Sequence, residues 1–588
     1  MSADKLVFDI SQEVEGTPNV FVKKDWLNII DNQSGQYASN QSVIDTSQLS
    51  NSNKFMSYRE GYLSIPLLLT LASASVTPLD TDLAPATAAT SADYSIGLKN
   101  WFGSMVHQFT LDMNGTTICQ QTPYINMWNS FKLMTSLSWG DVATLGSTIG
   151  FYPDDPTSWT YSASATKGGQ GVCNNTNQLG FTDVYGTKHN AFQSGGGNVG
   201  FLKRQQFINY DADGITGSGA TMGSLLSSAH CKTLWKSHVV TKTDSAAAVA
   251  DPAAAAVQGV FQVAINATVY LKHLHSFFQM APLMKGTFLK MTLTLNNTSV
   301  GVDVSSTGVM SVSSSANAVG GICPIMVASR AGGSGGTALC EAEAPTAAAA
   351  FIANVSVGSS CLDTTLKSSS TTTLGTGGLS PNVVLYVPAY TFNPSFESAY
   401  LSSPIKTIKY TDVYQYQIQK IDSNGTINSL LTNGIANIKS VVCLPFFSET
   451  HTGSGITPYG SPFDPAGAGP TSPLCMLTNF NVVVSGQNTI YNTQRYGFES
   501  FNNHLKGVGA VNGGMTDGLT SGLVDSQAFE MEYCYHYVDV SRALPVEEQV
   551  PKSVQIVGQN LSGRTIDLIC FIEYGVEVSI DALTGARV

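Results

Sequence analysis

One stretch of this sequence occurs twice, and that duplication limits the possible folds more than any other feature. Residues 480–501 read FNVVVSGQNTIYNTQRYGFESF, and residues 109–131 read FTLDMNGTTICQQTPYINMWNSF. Matched positions are 371 apart, or 370 apart after a one-residue slip. A large unit used twice predicts two similar domains in one chain. The matched pairs are Phe109/Phe480, Gly115/Gly486, Thr122/Thr493, Trp128/Phe498 and Phe131/Phe501.

Each copy predicts the same local structure. An apolar strand runs into a polar-glycine dipeptide, Asn114-Gly115 or Ser485-Gly486, of the kind that reverses a strand in a hairpin. A second short strand follows, and then a helical patch with two aromatic residues three positions apart. That spacing places both rings on one helix face, which can pack on a sheet.

Length and composition fit this duplication. A chain of 588 residues is too long for one ordinary core, and two β domains of about 200–250 residues with insertions is the expected arrangement. Charged residues make up only 12%, about half the usual share. We therefore expect a surface largely covered by neighbouring proteins, in contacts that depend weakly on salt.

The charge distribution argues against sequence-wide binding of nucleic acid. The net charge is −12, and the longest basic runs are the pairs Lys23-Lys24 and Lys203-Arg204, whereas phosphate binding needs clustered basic residues. The start of the sequence shows no signal peptide, and no run of 18 apolar residues occurs, so we expect a protein that is neither secreted nor membrane-spanning. The ten cysteines form no CxxC pair, which favours buried reduced thiols.

Strand patterns dominate the rest of the chain. Residues 62–69 and 441–447 are apolar runs that each contain one proline, which predicts an edge strand or a bulge at both places. Residues 529–537 alternate with period two and predict a half-buried strand, matched in the first copy by residues 261–271. The sequence predicts an all-β protein made of two tandem eight-stranded jelly-roll sandwiches with short helices and long loop insertions.

The expected domain limits follow from these patterns. Residues 1–299 form the first jelly roll, residues 300–381 a connection with a few strands, and residues 382–588 the second jelly roll. The first copy carries about 102 residues more than the second between the helical patch and the next strand. This insertion, residues 140–258, predicts an ordered outgrowth of the first roll.

No group of residues predicts catalysis, a cofactor or a metal. GGSGG at residues 332–336 lacks the strand and helix that a nucleophile elbow needs. His273 and His275 would share a face of a strand, but no third ligand is suggested, so an ordinary surface or interface pair is favoured. Residues 211–214 resemble the start of a calcium loop, yet Met222 stands where a carboxylate is needed. We expect a protein that is not an enzyme.

Several segments, in the same order, resemble the double jelly-roll major capsid proteins of polinton-like viruses and virophages. They are FVKKDWLNIIDNQSGQYASNQSVIDTSQL (21–49), VYLKHLHSFFQMAPLMKGTFLKMTLTLNN (269–297), SLLTNGIANIKSVVCLPFFS (429–448), SPLCMLTNFNVVVSGQNTIYNTQRYGFESFNNH (472–504) and YHYVDVSR (535–542).

The resemblance implies a structural virion protein. In that family two jelly rolls stand side by side, three chains form a pseudo-hexagonal trimer, and these capsomers tile an icosahedral shell around double-stranded DNA. The resemblance also implies that long insertions project as outer towers, which makes residues 140–258 the candidate tower. The implied partners are further copies of the chain, together with penton and minor or cement capsid proteins, and an internal membrane is left open. A carbohydrate-binding or adhesive β-sandwich surface protein remains the alternative. Such a protein would stack sugars on rows of tryptophan and tyrosine, and all six tryptophans precede residue 236. A sandwich-fold hydrolase is a weaker alternative, for want of a site.

Overall fold

The computed structural model describes twenty segments of the chain. They are residues 19–35, 37–50, 53–73, 93–120, 122–154, 160–161, 172–173, 199–204, 206–207, 235–240, 260–304, 310–317, 320–330, 349–358, 382–448, 457–462, 465–490, 496–507, 522–541 and 550–588.

Twenty-six strands and nine α-helices lie in these segments. The strands are β1 (Phe21–Ile30), β2 (Gln41–Asp45), β3 (Phe55–Met56), β4 (Tyr62–Ser73), β5 (Asp93–Leu98), β6 (Val106–Met113), β7 (Thr116–Cys119), β8 (Thr160–Tyr161), β9 (Val172–Cys173), β10 (Gln206–Phe207), β11 (Trp235–Val240), β12 (Val260–Tyr270), β13 (Leu289–Leu295), β14 (Thr298–Val304), β15 (Met310–Asn317), β16 (Ile325–Arg330), β17 (Ala349–Val357), β18 (Val384–Phe392), β19 (Ile405–Ile421), β20 (Thr426–Ile435), β21 (Ile438–Phe447), β22 (Leu477–Val484), β23 (Gln487–Asn488), β24 (His536–Asp539), β25 (Lys552–Asn560) and β26 (Ile566–Asp581). The helices are α1 (Ser47–Ser50), α2 (Ile125–Ser136), α3 (Trp139–Ile149), α4 (Val199–Arg204), α5 (Leu271–Leu274), α6 (Ser276–Met280), α7 (Pro394–Leu401), α8 (Phe498–Gly507) and α9 (Ser526–Met531).

The second half of the chain forms two antiparallel four-stranded sheets. Their strand orders are β19-β26-β21-β24 and β20-β25-β22-β23. If these eight strands are counted from one to eight along the chain, the orders become 1-8-3-6 and 2-7-4-5. Strands that follow one another thus alternate between the sheets, except for the hairpin of strands four and five, which is the connectivity of a jelly roll.

The first half repeats this order. One sheet contains the run β1-β18-β4-β12, and the facing sheet is β2-β13-β6-β7. With β1, β2, β4, β6, β7, β12, β13 and β18 counted as eight strands, the orders are again 1-8-3-6 and 2-7-4-5. The chain is a double jelly roll. The predicted all-β class and the tandem sandwiches are confirmed.

The predicted limits between the rolls need a correction at β18. This strand pairs with β1 and β4 of the first roll, although residues from 382 onward were assigned to the second. The stretch between residues 300 and 381 is likewise not a connection, since β14, β15 and β17 extend the first roll's sheet and β16 pairs with β5. We therefore place the boundary between β18 and β19, at the short helix α7.

The turns of the two repeat copies have the same backbone conformation. Asn114 and Gly115 have φ angles of 49° and 81°, and Ser485 and Gly486 have 49° and 80°. Two successive positive φ angles are the signature of a tight hairpin turn whose twist matches the strands it joins. Both turns close a hairpin, β6–β7 and β22–β23, and a helix follows each of them, α2 and α8.

Two local predictions were wrong. Residues 529–537 contain the helix α9 and only a short strand, β24, because Asp525 caps the helix by accepting a hydrogen bond from the Ala528 N–H (2.8 Å). The strands with prolines are not edge strands, since β4 and β21 each have neighbours on both sides. Pro66 lies between the part of β4 that pairs with β18 and the part that pairs with β17. Pro445 lies just beyond the residues of β21 that pair with β24.

The core of each roll lies between its two sheets. In β13 apolar and polar residues alternate, and the four apolar ones, Leu289, Met291, Leu293 and Leu295, are all buried. The six cysteines with described side chains are buried and free, as predicted: Cys119, Cys323, Cys443, Cys475, Cys534 and Cys570. Among the described helices, none is long and apolar enough to cross a lipid bilayer.

Candidate functional site

The two rolls meet along a continuous contact that we call the junction. The first roll contributes the end of β7, the helix α2 and the segment of α5 and α6. The second roll contributes the outer face of its sheet, from β19, β26 and β24. Among the described residues there is no group of three or more His, Cys, Asp or Glu side chains placed to hold a metal ion. The geometry of the junction bears on function because it fixes the two rolls relative to each other.

Aromatic side chains of α2 fill the centre of the junction. The Trp128 ring, only 5% exposed, lies 5.8 Å from the Phe571 ring of β26. One turn later, the Phe131 ring lies 5.1 Å from Tyr535 and 5.9 Å from Tyr537. Rings at positions i and i+3 share one face of the helix, so both enter the other roll together. Burial of two large aromatic side chains makes this contact apolar at its centre.

An ion pair flanks these rings. Lys132 Nζ lies 3.3 Å from a carboxylate oxygen of Glu573 on β26, and the Ser440 hydroxyl donates to the other oxygen at 2.8 Å. Burial by itself raises the pKa of Glu573, but the charge of Lys132 and the hydrogen bonds outweigh it, so the pKa lies below its usual value. Lys132 also lies over the Trp128 ring, 5.0 Å from its centroid.

A second polar cluster centres on Asp412 of β19, which is 3% exposed. Both carboxylate oxygens receive hydrogen bonds, so the buried charge is satisfied from both rolls. The donors are His275 Nε2 (3.3 Å), the Val413 N–H (2.8 Å), the Tyr574 hydroxyl (3.3 Å) and the Gln120 N–H (3.4 Å).

Side-chain contacts link Cys119 to His275 and His275 to Asp412, in the order of a Cys-His-Asp catalytic triad. Cys119 Sγ lies 3.3 Å from His275 Nδ1, and the Phe277 N–H donates to the same nitrogen at 3.2 Å. That donation makes Nδ1 an acceptor, so the proton on Nε2 points to Asp412. Burial, together with the charge of Asp412, raises the pKa of the Cys119 thiol well above its usual value. A fully buried, protonated thiol is not a nucleophile, and the cluster instead ties the rolls together.

The prediction for His273 and His275 is corrected by this geometry. They do not lie on a strand: His273 is in α5, and His275 accepts the capping hydrogen bond at the start of α6. Sequence reasoning missed Cys119 and Asp412 as members of the junction. Their positions are 293 residues apart, so no local pattern joins them.

The first-copy repeat residues lie at or near the junction. The Thr122 hydroxyl donates to the Val413 carbonyl oxygen of the second roll at 2.8 Å. Phe109 is buried in β6, with its ring 6.2 Å from that of His275. Gly115 forms the hairpin turn described above, and Trp128 and Phe131 fill the contact.

The second-copy residues pack inside their own roll. Phe480 lies 5.0 Å from the His536 ring, and Phe501 lies 5.1 Å from Phe529. Phe498 also packs against Phe529, at 5.9 Å, and stays half-buried. Gly486 forms the equivalent turn.

Several sequence candidates cannot be placed. Thr493 and residues 211–214 and 332–336 lie outside the described residues. Most of the predicted insertion at 140–258 lies outside them as well. Its described parts include α3, α4 and β11, and β11 extends the first roll's sheet by pairing with β12.

Solved structures similar to this chain are viral. A chain of the Sputnik virophage gives a TM-score of 0.44 at 11% identity, over 98% of this chain and 90% of that one. The mavirus major capsid protein gives 0.41 at 10% identity, over 99% and 92%. The Faustovirus major capsid protein gives 0.39 at 9% identity, over 98% and 94%. No protein-family model and no curated protein matches the sequence. The fold assignment rests on the strand order in each half.

Proposed function

We propose that this protein is a structural virion protein, the major capsid protein of a double-stranded DNA virus. The observation that carries the proposal is the junction. It fixes two jelly rolls of the same strand order side by side through the buried rings of Trp128 and Phe131. A chain built this way offers its neighbours two similar units in a fixed relation. That is what a flat protein shell requires.

In more detail, we propose that three chains form a homotrimeric capsomer. Three chains with two similar rolls each give six near-equivalent units, so one protein can tile the facets of an icosahedral shell. The partners are then other copies of the chain, with penton and minor or cement proteins at the remaining positions. The protein acts in the capsid shell, is made in the infected host cell, and has no enzymatic role in this proposal. The low share of charged residues suits a surface that neighbours cover.

Native mass spectrometry of the purified protein tests this proposal. We expect a stable species of three times 62.2 kDa, or larger shell-like assemblies. A monomer at every concentration tested would contradict it, and a monomer that binds glycans would support the alternative of a carbohydrate-binding surface protein.

A further inference from the structure

The outer face of the first roll's sheet carries four aromatic side chains, which we call the aromatic row: Trp26, Tyr62, Tyr270 and Tyr386. The Tyr62 ring lies 5.0 Å from Tyr386, 5.9 Å from Tyr270 and 5.9 Å from Trp26. Trp26 is 51% exposed, and the three tyrosines are half-buried. Side chains alternate along a strand, and the strand neighbours of the three tyrosines are buried in the core. The row therefore lies on the outside of the sandwich.

The same three strands of the second roll also carry a set of paired residues, but there the set is covered. Across β18, β4 and β12, Tyr386 is paired with Tyr62, and Tyr62 with Tyr270. Across β26, β21 and β24, which hold the same places in the sheet order, two aromatic residues flank a valine, and all three are buried. They are Phe571, Val442 and Tyr537. The helix α2 of the first roll lies over this face and places Trp128 on Phe571.

The helix α8 is the second roll's equivalent of α2. Each follows the repeated hairpin, and Phe498 and Phe501 match Trp128 and Phe131 in sequence. Both helices pack against their own roll, α2 on β6 and α8 on β24 and α9, and the rings of α2 also contact the second roll. Phe498 is half-buried there, and Glu499 and Asn503 are exposed.

We propose that the aromatic row binds α8 of a second copy of this chain, as the same face of the second roll binds α2 within one chain. The inference rests on the proposed function, because it takes the partner to be another copy. Two lysines lie beside the row, while α8 exposes Glu499: Lys272 lies over the Tyr270 ring, and Lys24, which also pairs with Glu60 at 2.7 Å, lies over the Trp26 ring.

This contact joins two different surfaces, the aromatic row of one chain and α8 of the next. Each chain has one of each, so the copies associate head to tail and close into a ring when the rotation allows it. A ring of three chains places six rolls in six similar contacts, three within chains and three between them. The aromatic row would then be the between-chain counterpart of the junction.

A thiol cross-linking experiment tests the inference. Cysteines are introduced at both surfaces, Trp26→Cys and Asn503→Cys, and the assembled protein is treated with a flexible bis-maleimide. We expect denaturing gels to show covalent species of two and three chains, with the cross-linked peptides joining β1 to α8. Trp26→Cys alone, and Trp139→Cys with Asn503→Cys, are the controls. Trp139 is an exposed tryptophan (59%) on α3 that is not part of the row.

A disruption experiment complements it. A charge in place of a central interface tryptophan should weaken association at least about 30-fold, as loss of a hot-spot residue does. Trp26→Lys should therefore move the native mass from three times 62.2 kDa towards 62.2 kDa, while Trp139→Lys keeps the oligomer.

The outcomes separate the two proposals. If the wild type forms trimers but the 26/503 pair gives no cross-link, or Trp26→Lys assembles normally, the aromatic row is not the contact and the capsid proposal stands. If the wild type is a monomer under all conditions, both fall. Retention of glycans that is lost in Trp26→Lys would assign the row to sugar binding instead.

Discussion

Replacement of Trp128 by alanine is the sharpest test of the junction. An aromatic side chain buries about 150–250 Å². At about 25 cal/mol per Å² this is worth about 4–6 kcal/mol as an upper limit. Alanine keeps part of that burial, and measured substitutions of this size cost about 3–5 kcal/mol. Because Trp128 is 5% exposed and lies on Phe571, we expect Trp128→Ala to lower the free energy of unfolding by about 4 kcal/mol.

Trp139→Ala is the matched control, since Trp139 is 59% exposed on the neighbouring helix, and its cost should stay within about 0.5 kcal/mol. Urea unfolding followed by circular dichroism compares the two without relying on tryptophan emission. Hydrogen exchange should locate the loss, with faster exchange in β26 and β24 of the second roll. Equal midpoints for the two variants, or faster exchange confined to the first roll, would refute the assignment of α2 as the element that joins the rolls.

Three further predictions concern acid, a buried ion pair and salt. Burial lowers the pKa of His107, His273 and His536 to about 4. Between about pH 6.5 and pH 4 the unfolded chain therefore binds more protons than the folded chain. Stability should fall as pH drops from about 6.5 to about 4, by on the order of 3 kcal/mol for each histidine. His536→Gln should flatten a plot of urea midpoint against pH, and an unchanged slope would count against this. Asp154→Ala should cost about 3–5 kcal/mol, because it leaves the buried guanidinium of Arg204 without this carboxylate. Thermal unfolding should show that loss and a partial recovery in the double variant with Arg204→Met. Oligomer dissociation should change little between low and moderate salt, and complete dissociation by moderate salt alone would contradict the low-charge interface.

The sequence predicted the parts of the fold that depend on residues close together in the chain. The hairpins at Gly115 and Gly486 follow from their dipeptides, and the alternation in β13 marks its core face. β18 could not be assigned, because 88 residues separate it from the end of β13, and no local pattern records which sheet a strand joins. The helix α9 was mistaken for a strand, although Asp525 placed three residues before Ala528 is a capping signal. The junction could not be predicted from the sequence, because residues such as His275 and Asp412 come into contact only after both rolls have folded.

The most direct measurement of the central claim is a cryo-EM map of the assembled protein. The account predicts six sandwich-shaped densities around a threefold axis, in which α2 and α8 occupy equivalent positions between adjacent rolls. A twofold assembly, or a threefold one in which the aromatic row faces solvent and α8 contacts only its own roll, would contradict it.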